Sequence, residues 1–206
     1  LSALEYLKNE SFLILCFFLI LSIGISHGAL DHLKGKKLLK IFKIKNMFIF
    51  YVGYIAISLF VIICWILMPK VTLTIFLFIA CYHFGKEDAD FLVKKKNFLI
   101  NSLFTLKGSI IIISPLLFNF QDTADIFKLL NYDISIFEIN QKFLYSILFL
   151  SFLANIVLSL KLENDFKSLI MMDFISILIL NYFLSPILAF TIYFCFLHSI
   201  RHSFKL

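Results

Sequence analysis

Seven apolar runs separated by short polar segments set the pattern of this chain, and each predicts a membrane-embedded helix. The first extends from about Phe12 to Ile25 and gives way to a segment carrying six lysines between Lys34 and Lys45. It has the length of a signal-peptide core, but Glu5 and Glu10 flank Lys8 and no A-x-A site follows, so it reads as a span. Met47 to Met68 is the second run, stopped by Pro69. The third, Val71 to Phe84, has 14 residues, fewer than the ~20 that a perpendicular helix needs. A locally thinned bilayer, or a helix end below the membrane surface, is expected there. Phe98 to Phe118 is the fourth, with Lys107 near its middle and Pro115 near its end. From Asn119 to Gln141 the chain is polar and acidic, with an apolar side from Ile126, Phe127, Leu129 and Leu130, which suits an amphipathic segment on the membrane surface. Phe143 to Leu160 is the fifth run and Leu169 to Leu184, interrupted by Asp173, the sixth. Ser185-Pro186 turns into the seventh, Ile187 to Ser203. The expected fold is all-α: one polytopic transmembrane bundle over residues 1–206, without internal repeat or soluble domain.

Composition agrees. Hydrophobic residues make up 61% of the 206, including 27 Phe, more apolar surface than a soluble core of this size absorbs. The net charge of +6 does not point to nucleic acid, because the lysines lie in the loops between runs. Fourteen Lys/Arg fall after runs one, three, five and seven; Lys8, Lys70, Lys128 and Lys142 fall on the other side. That excess predicts the N-terminus outside and the C-terminus inside, in a multi-pass protein of the inner (plasma) membrane. Cys16, Cys64, Cys81 and Cys195 each sit inside an apolar run with no CxxC spacing, and read as small buried hydrophobes.

All five histidines lie where apolar runs end: in Ser26-His27-Gly28-Ala29-Leu30-Asp31-His32, in Tyr82-His83-Phe84-Gly85-Lys86-Glu87-Asp88, and in His198-Ser199-Ile200-Arg201-His202. The orientation drawn from Lys/Arg alone brings all five to the cytoplasmic ends of their helices, with Asp173 on the same side. Residues four apart share a helix face, so His198 and His202 can present two nitrogens to one ion. His27 pairs in this way with Asp31, and His83 with Glu87. The pattern predicts one metal held by His27, His83, His198 and His202, with carboxylates behind the imidazoles to fix their tautomers. Asp31, Glu87, its neighbour Asp88, and Asp173 are the candidates for that outer role, and His32 joins them because it faces away from His27. A lone histidine would be an interfacial residue with its tip in the headgroups. Five at one level, with acidic partners at helical spacing, point to function. Lys107 is expected to snorkel or pair. Of the aromatics, most face lipid, and Tyr82, Phe84 and Phe196 beside the histidines are the candidate walls of a substrate slot.

Imidazole suits iron, copper, zinc and nickel, so the ligand types leave the metal open. Membrane desaturases and hydroxylases carry more histidines, in HxxxH and HxxHH boxes. A metal or proton transporter would spread ionisable groups through the membrane thickness, whereas here the outer half is nearly bare. A bis-histidine haem protein would account for two of the five histidines.

The three motifs, in their order and wide separation, resemble those of the Brp/Blh family of membrane β-carotene 15,15′-dioxygenases. The likeness reaches from the first run to the seventh, and the pairing of HGAxDH with a terminal HSxRH carries it. Ser26 stands where a proline is common, and Phe84 where a tryptophan often follows the histidine. The resemblance implies Fe(II) as cofactor, held at the matching positions His27, His83, His198 and His202. It implies oxidative cleavage of β-carotene by O₂ at the central double bond, giving two all-trans-retinal. The substrate would enter sideways from the lipid bilayer, and an opsin in the same membrane is one acceptor the product could reach.

Overall fold

The computed structural model describes residues 12–23, 31–89, 97–135, 140–161 and 164–199, and they are helical without any strand. The elements are α1 (Phe12–Ile23), α2 (Asp31–Ile41), α3 (Met47–Leu67), α4 (Pro69–Glu87), α5 (Phe98–Phe118), α6 (Phe120–Leu129), α7 (Gln141–Leu160), α8 (Asn164–Phe183) and α9 (Pro186–Ile192). A π-helical segment, Tyr193–His198, continues directly from α9. Each of the seven apolar runs is helical in its described part, save the end residues Met68 and Leu184. Among the described residues three helices, α3, α5 and α7, are long and apolar enough to cross a membrane. The four cysteines are free.

Two compact units divide the chain, Leu1–Leu73 and Thr74–Leu206. In the first, the lysine-rich segment is not merely a loop: α2 forms there, with Gly35 packed so closely on the ring of Phe50 that a Cβ would meet it. Lys43, with φ 56°, reverses the chain between α2 and α3. Asn46 then caps α3, its side chain accepting from the Phe48 N–H at 2.9 Å. No residue of α3 is buried, and it is apolar on every side, as a helix surrounded by hydrocarbon should be.

Between α3 and α4 the chain breaks only at Met68. Pro69 stops one helix and opens the next, because its missing N–H costs nothing at a first helical position. The third run is therefore longer as a helix than as an apolar pattern, since Pro69 and Lys70 open the helix and Gly85, Lys86 and Glu87 complete its last turn.

In the second unit α5 is the hub. Asn97 caps it by accepting from the Ile100 N–H at 2.9 Å. One face of α5 packs with α7 and α8 through Ile100, Leu103, Phe104, Ala154, Leu158 and Ile170. Nearer its C-terminus, Ile113 and Leu116 meet Ala124 of α6 and Leu144 of α7. The amphipathic stretch after α5 is α6, which buries Thr123 and Ala124. The Asn119 side chain donates to the carbonyls of Asn181 and Leu184, at 2.5 and 3.1 Å, satisfying groups left open at the end of α8. Small polar residues inside the unit turn onto backbone carbonyls, as Asn155 does to Ser151 (2.7 Å) and Thr191 to Ile187 (2.7 Å).

Helices α4 and α5 cross at Gly85 and Gly108. A Cβ on Gly85 would run into the Phe104 carbonyl, and one on Gly108 into the Cys81 carbonyl. Only glycine lets the two backbones come this near. Gly108 is the midpoint of α5. The C-terminal end of α4 thus arrives at half the height of α5, and the candidate site is built there.

Candidate metal centre

Asp88 follows the last residue of α4, and its N–H donates to the Phe84 carbonyl at 3.0 Å. Its carboxylate is buried, and both of its oxygens are used. The Tyr193 hydroxyl donates to Oδ2 at 2.7 Å, and His198 Nδ1 lies 2.9 Å from Oδ1. Tyr193 and His198 are five residues apart. In an α-helix that spacing would turn them ~140° from each other. The π-helix, with i→i+5 hydrogen bonding, brings them onto one face, where one carboxylate serves both.

This pairing fixes the imidazole. An ionised carboxylate only accepts, so the proton of His198 sits on Nδ1 and the lone pair on Nε2 is the one a metal could take. Burial opposes the charge on Asp88, and the hydrogen bonds from Tyr193 and His198 offset that cost. His198 is 1% exposed and ringed by aromatics. The Phe84 ring meets it edge-on at 4.9 Å and Phe194 stacks on it at 5.9 Å. Phe190 stacks in turn on Phe194 at 5.7 Å.

His83, on α4, stands with its ring 5.6 Å from that of His198, centroid to centroid. Metal–nitrogen bonds of ~2.1 Å from two imidazoles to one ion place ring centres at about this separation. The donor set therefore fits a soft-to-borderline transition ion such as ferrous iron: neutral ring nitrogens, one of them oriented by a carboxylate. Among the described residues, no three His, Cys, Asp or Glu side chains converge closely enough to hold an ion by themselves.

Lys107 of α5 and Asp173 of α8 form a buried pair at 3.8 Å. Lys107 thus pairs rather than snorkels, and Asp173 is its partner. Glu87 closes α4 and is partly buried. Tyr82 is half-buried against the α5–α7–α8 core, with Lys86 Nζ 5.2 Å from its ring centroid. Phe84 borders His198 directly, while Phe196 is 55% exposed on the outer side of the π segment. In the first unit, Asp31 opens α2 and His32 is exposed on it. His27 and His202 lie outside the described residues.

Tyr193, Phe190 and Phe194 of this centre were not singled out in the sequence for it. Tyr193 was missed because five-residue spacing to a histidine means nothing on an α-helix. Phe194, four before His198, carried a helical spacing signal that was lost among 27 phenylalanines.

A family model described as Beta-carotene 15,15'-dioxygenase matches residues 18–206. A protein named Beta-carotene 15,15'-dioxygenase, from Uncultured marine bacterium 66A03, is 28% identical over 192 residues, which cover 89% of this chain. The chain spans 66% of that relative's length. No solved structure matches.

Proposed function

The chain belongs to the β-carotene 15,15′-dioxygenase family, and from that membership we propose that it is an iron-dependent membrane enzyme cleaving β-carotene at its central double bond. The carbon–carbon double bond breaks, each carbon receives one atom of O₂, and two all-trans-retinal result. His27, His83, His198 and His202 would hold the metal. When bound, ferrous iron supplies the redox chemistry that activates O₂. One observation carries the reading: His198, enclosed by aromatics with its Nδ1 held by buried Asp88, stands 5.6 Å from the exposed ring of His83, ring centre to ring centre, at half the height of α5.

The chain's own residues do the positioning. Asp88 keeps the His198 ring in one tautomer and one orientation. Tyr193 saturates the other carboxylate oxygen, so that Asp88 does not swing away. Phe84, Phe190 and Phe194 exclude water and offer flat apolar faces, the only surface by which a hydrocarbon without polar groups can be located. Their partial exposure suits a slot open to lipid, through which carotenoid enters and retinal leaves. An opsin in the same membrane is one acceptor for that product.

The bundle we propose has seven spans, N-terminus outside and C-terminus inside, in the inner membrane. Expression in carotenoid-producing bacteria tests the activity: loss of yellow colour with appearance of retinal is expected. Unchanged carotenoid in cells that contain the protein and iron would sink the proposal.

A further inference from the structure

Helix α2 belongs to the first unit, where Gly35 and Leu39, four apart on one face, are its buried residues among those described. Gly35 rests on the ring of Phe50, in the first turn of α3. At ~1.5 Å per residue α3 spans about the ~30 Å of a hydrocarbon core, so its first turn stands at the headgroup boundary with α2 beside it. The rest of the α2 surface divides in two. At 3.6 residues per turn Lys36, Lys37 and Lys40 share an arc of ~100°, and Leu38 and Ile41 another of ~60° on the far flank. Ile41 is 75% exposed, Phe42 beyond it 66% and Leu38 49%, an apolar flank poorly suited to water. Lys36, Lys37, Lys40, Lys43 and Lys45 are exposed as well, and among the described residues none of them forms an ion pair. Asp31 is the one acidic residue from 31 to 45. Where α2 ends, the Ile44 N–H donates to the Leu39 carbonyl at 2.9 Å and the Lys43 N–H to the Lys40 carbonyl at 3.1 Å. That closure usually places glycine at the left-handed position, yet Lys43 stands there with φ 56° and keeps the surface basic at a conformational cost.

We propose that α2 is a docking surface for anionic phospholipid: its apolar flank enters the acyl boundary while the lysines beside it hold headgroup phosphates. Charge complementarity selects this partner. The apolar flank alone would suit any lipid, but unpaired lysines at the level of the phosphates favour headgroups that carry a net negative charge. The competing role for the lysines is orientation of the neighbouring spans. That role asks only for a count of charges in the segment. It calls for no exposed apolar flank on the same helix, and it gives the folded protein no preference between one lipid and another. Nothing in the docking surface depends on the reaction catalysed.

The test uses the full chain in detergent with Trp65→Phe and Ile41→Trp, so that the one tryptophan reports from the apolar flank. Phosphatidylglycerol or phosphatidylcholine with brominated acyl chains is added in mixed micelles, and quenching of the tryptophan is followed. Phosphatidylglycerol is expected to quench at about 100-fold lower concentration, the order that three lysines near an anionic surface supply. Added salt is expected to narrow the gap. Lys36→Gln, Lys37→Gln and Lys40→Gln together are expected to abolish the preference, and Arg at the same three positions to keep it. Equal quenching by the two lipids overturns the proposal, as does a preference that survives the three Gln substitutions. Quenching by neither lipid would mean that protein covers the flank, from this chain or a second copy, and overturns it too. Should the Gln variant fail to fold, the salt titration decides: a preference that salt does not weaken is not one of charge, and the proposal falls.

Discussion

Asp88 holds two donors, Tyr193 on Oδ2 and His198 on Oδ1, and each exchange at these positions has its own consequence. In Asp88→Asn the amide is neutral and offers a single acceptor oxygen, so His198 and Tyr193 compete for it. On the proposed iron site, iron content after purification is expected to drop, with affinity about 10–100-fold weaker by equilibrium dialysis. Tyr193→Phe removes one hydrogen bond to a charged group, about 1.5–3 kcal/mol, and is expected to lower the unfolding midpoint while most iron remains. Near-normal iron affinity in Asp88→Asn would show that the carboxylate does not orient the ligand. How much of this could be read in the sequence differs by residue. His83, His198, Asp88 and Phe84 stood out by type and placement. That Asp88 partners His198 did not, because the two are 110 positions apart and helical spacing speaks only for near neighbours.

Whole elements were more legible than their contacts. Met47 to Met68 lies between the Asn46 cap and Pro69, and Phe98 to Phe118 between Asn97 and Asn119, so the helices α3 and α5 end within a residue of the apolar pattern. The π segment left no trace: Tyr-Phe-Cys-Phe-Leu-His contains neither glycine nor proline, and the partner that both its ends reach, Asp88, is distant in the chain. Gly85 read as part of a histidine motif, and its other task, admitting the α5 backbone, needed the partner helix to be visible. Gly85→Ala and Gly108→Ala test that task. Each places a methyl against a carbonyl oxygen, an overpacking that the backbones must part to relieve. Destabilisation of about 3 kcal/mol is expected for either, with loss of the Asp88–His198 contact, measured by denaturant unfolding and metal retention. A variant as stable as the parent would mean that the helices do not meet there.

For the molecule as a whole, charge counting predicts sides that the helices alone do not reveal. Single cysteines in the Lys34–Lys45 segment, in a background without the native thiols, are expected to resist impermeant maleimide added to intact cells. Rapid labelling would reverse the topology. The crossing at the midpoint of α5 has a kinetic consequence for the same bilayer. On the proposed activity, a reaction centre at that height would meet the carotenoid, and the dissolved gas, in the hydrocarbon phase. Its effective substrate concentration is then a mole fraction in lipid, not a molarity in buffer. Vesicles carrying a fixed amount of enzyme and carotenoid, diluted with added phospholipid, are expected to show turnover falling in proportion to the dilution below saturation. Adding buffer at constant lipid composition is expected to leave the rate per enzyme where it was; on the proposed activity the bilayer, more than the cytoplasm, would be the volume in which this protein counts its substrate.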